Sequence, residues 1–166
     1  MSWETSIKGF KSYLTIERSL SSNTVDAYIR DVQQLALFAE NKKKTEIQIE
    51  KSDLSEFVAA ISKSGKAARS QARIISGIKA FFKYLIMEDY IKVDPTELLE
   101  APKIGMKLPD ILSVDEIDSL IAAIDLSKDQ GERNRAMIEV LYSCGLRVSE
   151  LVTLKLSNIS FHEDFI

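Results

Sequence analysis

Apolar residues recur every three or four positions along most of this chain, a spacing that predicts amphipathic α-helices rather than strands. In the first hundred residues the pattern predicts four helices, at about residues 2–17, 22–40, 52–64 and 67–89. Ser21 or Ser22 is suited to cap the second helix, and Gly65 is suited to end the third. A short extended connection is predicted at residues 47–49, and a turn of helix is predicted to begin at Pro95.

A change in composition divides the chain near residue 100. The stretch from Ala101 to Asp110 contains two prolines and a glycine and interrupts the helical pattern, which predicts a linker. We therefore expect a helical domain at residues 1–103, a linker at residues 104–110 and the first part of a second domain at residues 111–166.

The second part of the chain returns to helical spacing, and Ser113 with Glu116 has the sequence of a capping box at its start. From Asn158 to Ile166 the pattern predicts a turn that enters a β-strand. A single strand leaves its backbone amides without partners, so we expect the chain to stop within its second domain. Within these 166 residues the predicted fold class is all-α.

Residues 141–151, LYSCGLRVSEL, predict the end of one helix, a glycine break and the start of another helix. Gly145 suits the position after a helix, where a left-handed backbone is favourable without a Cβ atom. Arg147 then begins the next helix, with Glu150 placed to brace its guanidinium. A planar fork of donors on a helix start suits a phosphate group. The alternative is a weak, solvated ion pair at the surface.

Tyr142 and Cys144 fall in the apolar stripe of the helix before Gly145, which predicts that both are packed in a core. Tyr142 is therefore not expected to be a nucleophile. Cys144 is the single cysteine, so the chain has no internal disulfide. His162 is the single histidine and has no Cys or His companion, so we expect no zinc site and no metal.

The net charge of −3 argues against a nucleic-acid partner only when it is taken over the whole chain. No acidic residue lies between Glu56 and Glu88, while that interval contains six basic residues: Lys63, Lys66, Arg69, Arg73, Lys79 and Lys83. On the fourth helix the basic residues share one side with small ones, Ser76, Gly77 and Ala80. We predict that this side approaches DNA closely and that the small residues allow the approach. The alternative is a solvated charged face.

With 45% hydrophobic residues the chain is able to bury a real core, yet its apolar runs are shorter than a membrane span. We therefore expect no membrane partner. A single cysteine fits a reducing compartment, so the expected location is cytoplasmic.

Residues 131–137, GERNRAM, together with residues 141–151, resemble the first catalytic-arginine box of the tyrosine site-specific recombinases, and within them the Xer type. Residues 101–105, APKIG, with Leu108-Pro109 and Leu112-Ser113, are similar to the interdomain linker and catalytic-domain start of that family. Residues 20–24, LSSNT, followed by Ala27 and Tyr28, resemble its DNA-binding domain.

The resemblance implies a SAM-like four-helix core-binding domain followed by the first helices of a mixed α/β catalytic domain. It also implies cleavage of DNA by a tyrosine, through a 3′-phosphotyrosyl link and without a cofactor. Arg147 is then the first of two catalytic arginines, and Glu150 orients the cluster. Because the tyrosine and the other catalytic groups of the family lie further on, these 166 residues are expected to bind DNA without cleaving it.

The expected DNA contacts lie on two helices. They are Lys66, Arg69, Arg73 and Lys79 on the fourth helix, and Asn23, Thr24, Tyr28 and Arg30 on the second. The implied partners are a double-stranded recombination site, a related recombinase subunit in a tetramer on DNA, and a DNA translocase as activator, in chromosome dimer resolution. A phage or transposon integrase, a non-catalytic helical DNA-binding regulator and a helical protein-interaction module are the alternatives.

Overall fold

The computed structural model describes residues 2–105 and 108–160, and contacts within the chain divide it into two units, residues 1–106 and residues 107–166. The first unit contains four helices: α1 (Trp3–Ser12), α2 (Ser22–Glu40), α3 (Lys51–Lys63) and α4 (Ala68–Met87). The second contains three: α5 (Val114–Ala122), α6 (Gly131–Cys144) and α7 (Val148–Thr153). The described residues form no β-strand, so the predicted all-α class is confirmed for them.

The helix starts and ends of the first unit follow the predicted signals. Ser21 is the N-cap of α2, and its Oγ accepts a hydrogen bond from the Thr24 amide at 3.4 Å. Gly65, after α3, has a φ of +74°, the left-handed backbone expected there. The first helix is shorter than expected, because α1 passes into a π-helical turn, Tyr13–Glu17, instead of remaining α-helical.

The core of the first unit is formed by the apolar sides of all four helices. The largest completely buried side chains include Phe10 of α1, Leu35 of α2, Leu54 of α3, and Phe81 and Phe82 of α4. On α4 the buried residues recur with the 3.6-residue period that the sequence shows. The core therefore fixes which side of α4 faces outward.

The approach of α2 to α4 depends on Gly77, which is buried rather than exposed on the basic side. A Cβ atom at position 77 would lie 3.1 Å from Oδ2 of Asp31 and 3.5 Å from the ring of Tyr28. Ala80 is also partly buried against the core. The prediction that Gly77 admits DNA is therefore wrong, because Gly77 admits α2 instead. Of the three small residues, Ser76 alone is exposed.

Two connections differ from their predicted forms. The segment before α3 is a 3₁₀ helix, Glu46–Gln48, rather than an extended strand, and the Gln48 side chain accepts a hydrogen bond from the Thr45 amide at 3.0 Å. Pro95 begins a turn and not a helix. There, Oδ1 of Asp94 accepts hydrogen bonds from the amide and hydroxyl of Thr96 at 2.8 and 2.6 Å. Such an Asp side chain stabilises an isolated turn.

Ion pairs and hydrogen bonds connect the start of α3 to the loop before it. Asp53 is buried, and it accepts hydrogen bonds from Nζ of Lys44 at 2.7 Å, from Nζ of Lys42 at 3.0 Å and from the amide of Glu50 at 3.0 Å. Burial acts to raise the pKa of Asp53, but these three donors prevail and lower it from 3.8 to about 2.

In the second unit the predicted caps are confirmed. Oε2 of Glu116 accepts from the Ser113 amide at 2.7 Å, and Oγ of Ser113 accepts from the Glu116 amide at 3.3 Å, which completes the capping box of α5. Gly145 ends α6 with a φ of +63°. The predicted strand is outside the described residues from position 161 onward, and Leu156–Asn158 forms a 3₁₀ turn.

The second unit buries little. Among residues 108–160 only Gly131 is buried, and the apolar sides of its helices are partly or fully exposed. The predictions that Tyr142 and Cys144 are core residues are therefore wrong, since Tyr142 is 50% exposed and Cys144 is exposed. The apolar stripe of α6 is real, but within the second unit no described element covers the side on which these two residues lie.

Candidate nucleic-acid interface and phosphate-binding arginine

The outward side of α4 carries basic side chains that lack acidic partners. Arg69 and Lys83 are exposed and Lys79 is half-buried, while Lys66 lies in the turn just before the helix and is exposed. None of these four forms an ion pair with any residue in the described ranges 2–105 and 108–160. A surface whose exposed charges are mostly positive attracts a polyanion, and its field persists over a Debye length.

Arg73 differs from the other basic residues of α4. Its Nη1 donates to Oδ2 of Asp31 at 2.5 Å and to the carbonyl oxygen of Ala27 at 3.3 Å. The Asp31 side chain is completely buried, whereas that of Arg73 is 44% exposed. Burial raises the pKa of Asp31 even though Arg73 acts in the opposite direction. Arg73 therefore neutralises a buried carboxylate and still presents part of its guanidinium at the surface.

Asp31 is a residue of this site that the sequence analysis missed. Its second oxygen, Oδ1, is buried and has no hydrogen-bond partner within the part of the chain that the structure describes. The sequence contained a sign of its burial, because Asp31 is next to Val32 on the side of α2 that faces α4. A charged residue at a buried helical position requires a partner, and that partner was already among the predicted DNA contacts.

The four predicted contacts on α2 lie on two different sides of the helix. Thr24 and Tyr28 face α4 and line a cleft with Lys83. Asn23 and Arg30 line a shallow groove on another side, together with Asp26, and Nε of Arg30 donates to the Asp26 carbonyl oxygen at 3.2 Å. Thr24 and Tyr28 thus lie beside the basic side of α4, whereas Asn23 and Arg30 lie on a different side of α2.

Arg147 and Glu150 form a local pair at the start of α7. Oε2 of Glu150 accepts from the Arg147 amide at 2.7 Å, and Oε1 accepts from Nη1 of Arg147 at 3.0 Å. These bonds, the backbone one first, lower the pKa of Glu150. The Arg147 side chain is nevertheless 82% exposed, and among the described residues one hydrogen bond, to Glu150, holds its guanidinium. Its remaining donors are free for an anion.

The charge at this position comes from Arg147 itself. Because α7 has only six residues, Val148–Thr153, its backbone dipole adds little to the binding of an anion. The carboxylate of Glu150 holds the arginine backbone and side chain together, so the direction of the guanidinium is partly set before any ligand arrives.

No helix among the described residues is long and apolar enough to cross a membrane. Across the same residues, no group of three or more His, Cys, Asp or Glu side chains is placed to hold a metal ion.

Comparison with known protein families gives the class of the chain. Residues 7–89, half of the chain, match the family described as phage integrase, N-terminal SAM-like domain, and residues 110–166 match the phage integrase family. The chain therefore belongs to the phage integrase family, the tyrosine recombinases, and the resemblance seen in the sequence is confirmed.

Individual relatives make the likeness more specific. Over 164 residues, 98% of this chain, it is 40% identical to tyrosine recombinase XerD of Staphylococcus aureus strain Mu50 and 36% identical to that of Staphylococcus haemolyticus strain JCSC1435. The chain spans 56% of the length of these curated relatives.

One solved structure supports the fold. The integrase of transposon Tn1549, in complex with a circular intermediate DNA, is similar with a TM-score of 0.64 at 17% identity, over 94% of this chain and 50% of that one.

Proposed function

We propose that this chain is the DNA-binding part and the first catalytic part of a tyrosine recombinase that cuts and rejoins DNA at a specific site. The observation that carries the proposal is the outward side of α4, where four basic residues form no ion pair with any residue that the structure describes: Lys66, Arg69, Lys79 and Lys83. Membership of the tyrosine recombinase family gives this surface its expected ligand, duplex DNA. We propose domain limits at residues 1–103 and 111–166, with the linker at 104–110.

In the proposed reaction a tyrosine hydroxyl attacks a DNA phosphorus and the bond to the 5′ oxygen breaks. A 3′-phosphotyrosyl link and a free 5′-hydroxyl result, and reversal of the step rejoins a strand. The phosphoryl oxygens gain charge as the bond breaks, and preorganised cations stabilise that charge. Arg147 is proposed to be one such cation, because its exposed guanidinium offers several donors in one plane. Glu150 is proposed to hold it in position.

The tyrosine of the proposed reaction is not among the residues that the site brings together. We propose that the nucleophile and the second arginine belong to the part of the curated relatives that this chain does not match. The 166-residue chain is then expected to bind DNA without forming a covalent adduct. Tyr142, which is half-exposed, is not proposed as the nucleophile, because no base or cation within residues 2–105 and 108–160 forms a hydrogen bond with it.

The likeness to XerD supports the Xer type within the family. We propose on that basis that the recombinase acts in the cytoplasm on a chromosome dimer resolution site, in a tetramer with a related XerC-like subunit and under a DNA translocase as activator. A mobile-element integrase is the second candidate, supported by the match to the phage integrase family and by a fold shared with the Tn1549 integrase.

DNA titration of the chain over a salt series tests the central proposal. Phosphate contacts give a straight line of negative slope between the logarithms of the binding constant and the salt concentration. We expect Arg69→Gln to weaken binding and flatten the slope by about 1, since it removes one phosphate contact. Lys51→Gln, an exposed change in a groove on the opposite side of α4, serves as the matched control. Salt-independent binding, or none, would reject the proposal.

A further inference from the structure

A small cleft opens beside the basic side of α4. It lies between the π-helical turn after α1, the first turns of α2 and the middle of α4, and its volume is about 180 Å³. Its polar side chains are those of Tyr13, Arg18, Thr24, Tyr28 and Lys83, and Leu20 and Ala80 are among its apolar walls. A cleft of this size admits a compact group rather than a nucleobase stacked on a neighbour or a peptide.

The cations of the cleft are not neutralised. Nη1 of Arg18 donates to the Tyr13 hydroxyl at 3.5 Å, a long bond to a neutral group. Lys83 is exposed and has neither a hydrogen bond nor an ion pair within residues 2–105 and 108–160. Among the residues that the structure describes, no Asp or Glu lines the cleft. Two positive side chains thus line one space with no carboxylate beside them in the described residues, which disfavours a cation in the cleft.

The other polar groups of the cleft are able to donate hydrogen bonds. The Tyr28 hydroxyl has no hydrogen-bond partner in the described part of the chain, and the Thr24 hydroxyl pairs with that of Ser21 at 3.0 Å. A ligand that only accepts hydrogen bonds and carries negative charge matches this set of donors. A phosphate group has both properties. A carboxylate shares them, but the basic side of α4 continues directly from the cleft and points to a polyanion.

We propose that the cleft formed by Arg18, Thr24, Tyr28 and Lys83 holds one phosphodiester group of the DNA backbone. This inference rests on the proposed function, because it assumes that α4 lies on DNA. Arg69 and Lys83 are fourteen positions apart, roughly 21 Å along a helix axis. That distance exceeds the width of the major groove, about 12 Å. The cleft and Arg69 therefore contact the backbone at two separate places, and the cleft fixes the position of α4 along the duplex.

A double substitution tests the cleft, with non-specific duplex DNA as the probe. Arg18→Gln with Lys83→Gln is expected to lower the magnitude of the salt slope by roughly 1 to 2, since one or two charges no longer release counterions. The matched control is Lys51→Gln with Lys92→Gln, which removes the same charge from a groove on the opposite side of α4. The control slope is expected to stay unchanged, and thermal melting of both variants checks that they fold.

Lysine modification supplies a second measurement. DNA is expected to protect Lys83 from reductive methylation several-fold more than it protects Lys51. If the cleft variant keeps the wild-type slope, or if Lys83 stays fully reactive on DNA while Arg69→Gln still weakens binding, the cleft assignment is wrong and the proposed function stands. If the wild-type chain shows no salt-dependent DNA binding, the proposed function fails and the cleft assignment fails with it.

Discussion

Arg73 and Arg147 each pair with one carboxylate, yet the two pairs differ in how far they are exposed to solvent and in how far apart their residues lie in the sequence. The Arg73 pair joins α4 to a completely buried Asp31 across 42 positions of sequence. The Arg147 pair joins neighbours three positions apart, and 82% of the arginine side chain is exposed. Burial raises the pKa of Asp31, whereas hydrogen bonds lower that of Glu150. An arginine and a carboxylate therefore link two helices through a buried pair in one place and leave a cation exposed in the other.

The largest expected effect is the loss of DNA cleavage on substitution of Arg147. In a recombinase with the full length of the relatives, Arg147→Ala is expected to lower covalent adduct formation by at least about 10²-fold, since it removes a donor to the developing charge. Arg147→Lys is expected to be poor as well, because an ammonium cannot hold two oxygens in one plane. A suicide substrate nicked beside the cleavage site, followed by a denaturing gel, measures the adduct.

DNA binding and thermal melting of Arg147→Ala should match those of the wild type, which separates a catalytic arginine from a structural one. If this variant forms as much adduct as the wild type, Arg147 is not a catalytic residue.

The next effect concerns Arg73. Arg73→Ala leaves a buried carboxylate without its cation, and we expect it to lower the free energy of unfolding by about 2–3 kcal/mol, below the range for fully buried pairs because Arg73 is partly exposed. Urea denaturation measures the loss. Arg73→Ala combined with Asp31→Asn should recover part of it, since the amide is neutral. If Arg73→Ala unfolds at the wild-type urea concentration, the pair has no structural role.

This role changes how Arg73 is tested as a DNA contact. Charge reversal at Arg73 is still expected to weaken DNA binding, but it also places two carboxylates side by side. The effect on binding therefore has to be measured on variants whose folding has been checked, and Arg69→Gln gives the cleaner comparison.

Asp53 is a second buried aspartate with which Asp31 can be compared. Unlike Asp31, it has two lysines and one backbone amide as partners. Its pKa is lower in the folded chain, about 2, than its ordinary value of 3.8. The unfolded chain therefore binds a proton before the folded chain does. The stability that Asp53 supplies is complete above pH 4 and is lost as the pH falls from 4 to 2. Denaturation curves at several pH values should show this loss, and Asp53→Asn should remove it; an unchanged acid profile would contradict it.

The cleavage pattern of a protease tests the division into two units. Limited proteolysis is expected to cut first between Ala101 and Asp110, where the described residues form no helix or strand. Both arginine pairs would then remain intact, each on its own product. A first cut within α4 would instead separate Arg73 from the rest of its helix and contradict the proposed domain limits.

The smallest effect is expected for Glu150. Glu150→Gln in the 166-residue chain should leave thermal melting almost unchanged, because the pair is exposed and local. In the complete recombinase the same substitution should lower adduct formation partially, by loosening the arginine. A large loss of stability would mean that the Arg147–Glu150 pair stabilises the fold, as is expected of the Arg73–Asp31 pair.

Local signals in the sequence predicted the parts of the fold that depend on neighbouring residues. The caps at Ser21, Ser113 and Gly145 and the apolar side of α4 were all predicted correctly, because each depends on residues within a turn or two. The family resemblance was also available from the sequence. The roles of the individual DNA-contact and catalytic residues remain predictions.

Long-range contacts were what the sequence could not predict. The helical pattern placed Gly77 on the basic side and Tyr142 in a core, but a pattern along one helix does not show what covers each side. The pairing of Arg73 with Asp31 likewise depends on how α2 docks. The cleft beside Lys83 requires three separate segments to come together, so its residues could not be grouped from spacing alone.

The contact between Gly77 and Asp31 restricts how the sequence of this domain can vary. Even a methyl group at position 77 would lie 3.1 Å from Oδ2 of Asp31, so Asp31 has to move by a few tenths of an ångström to accept it. Positions 31 and 77 are therefore expected to change together among functional variants. In a selection from a library randomised at both, alanine at 77 should occur mainly with a smaller residue than aspartate at 31, and Arg73 should then be free to vary as well.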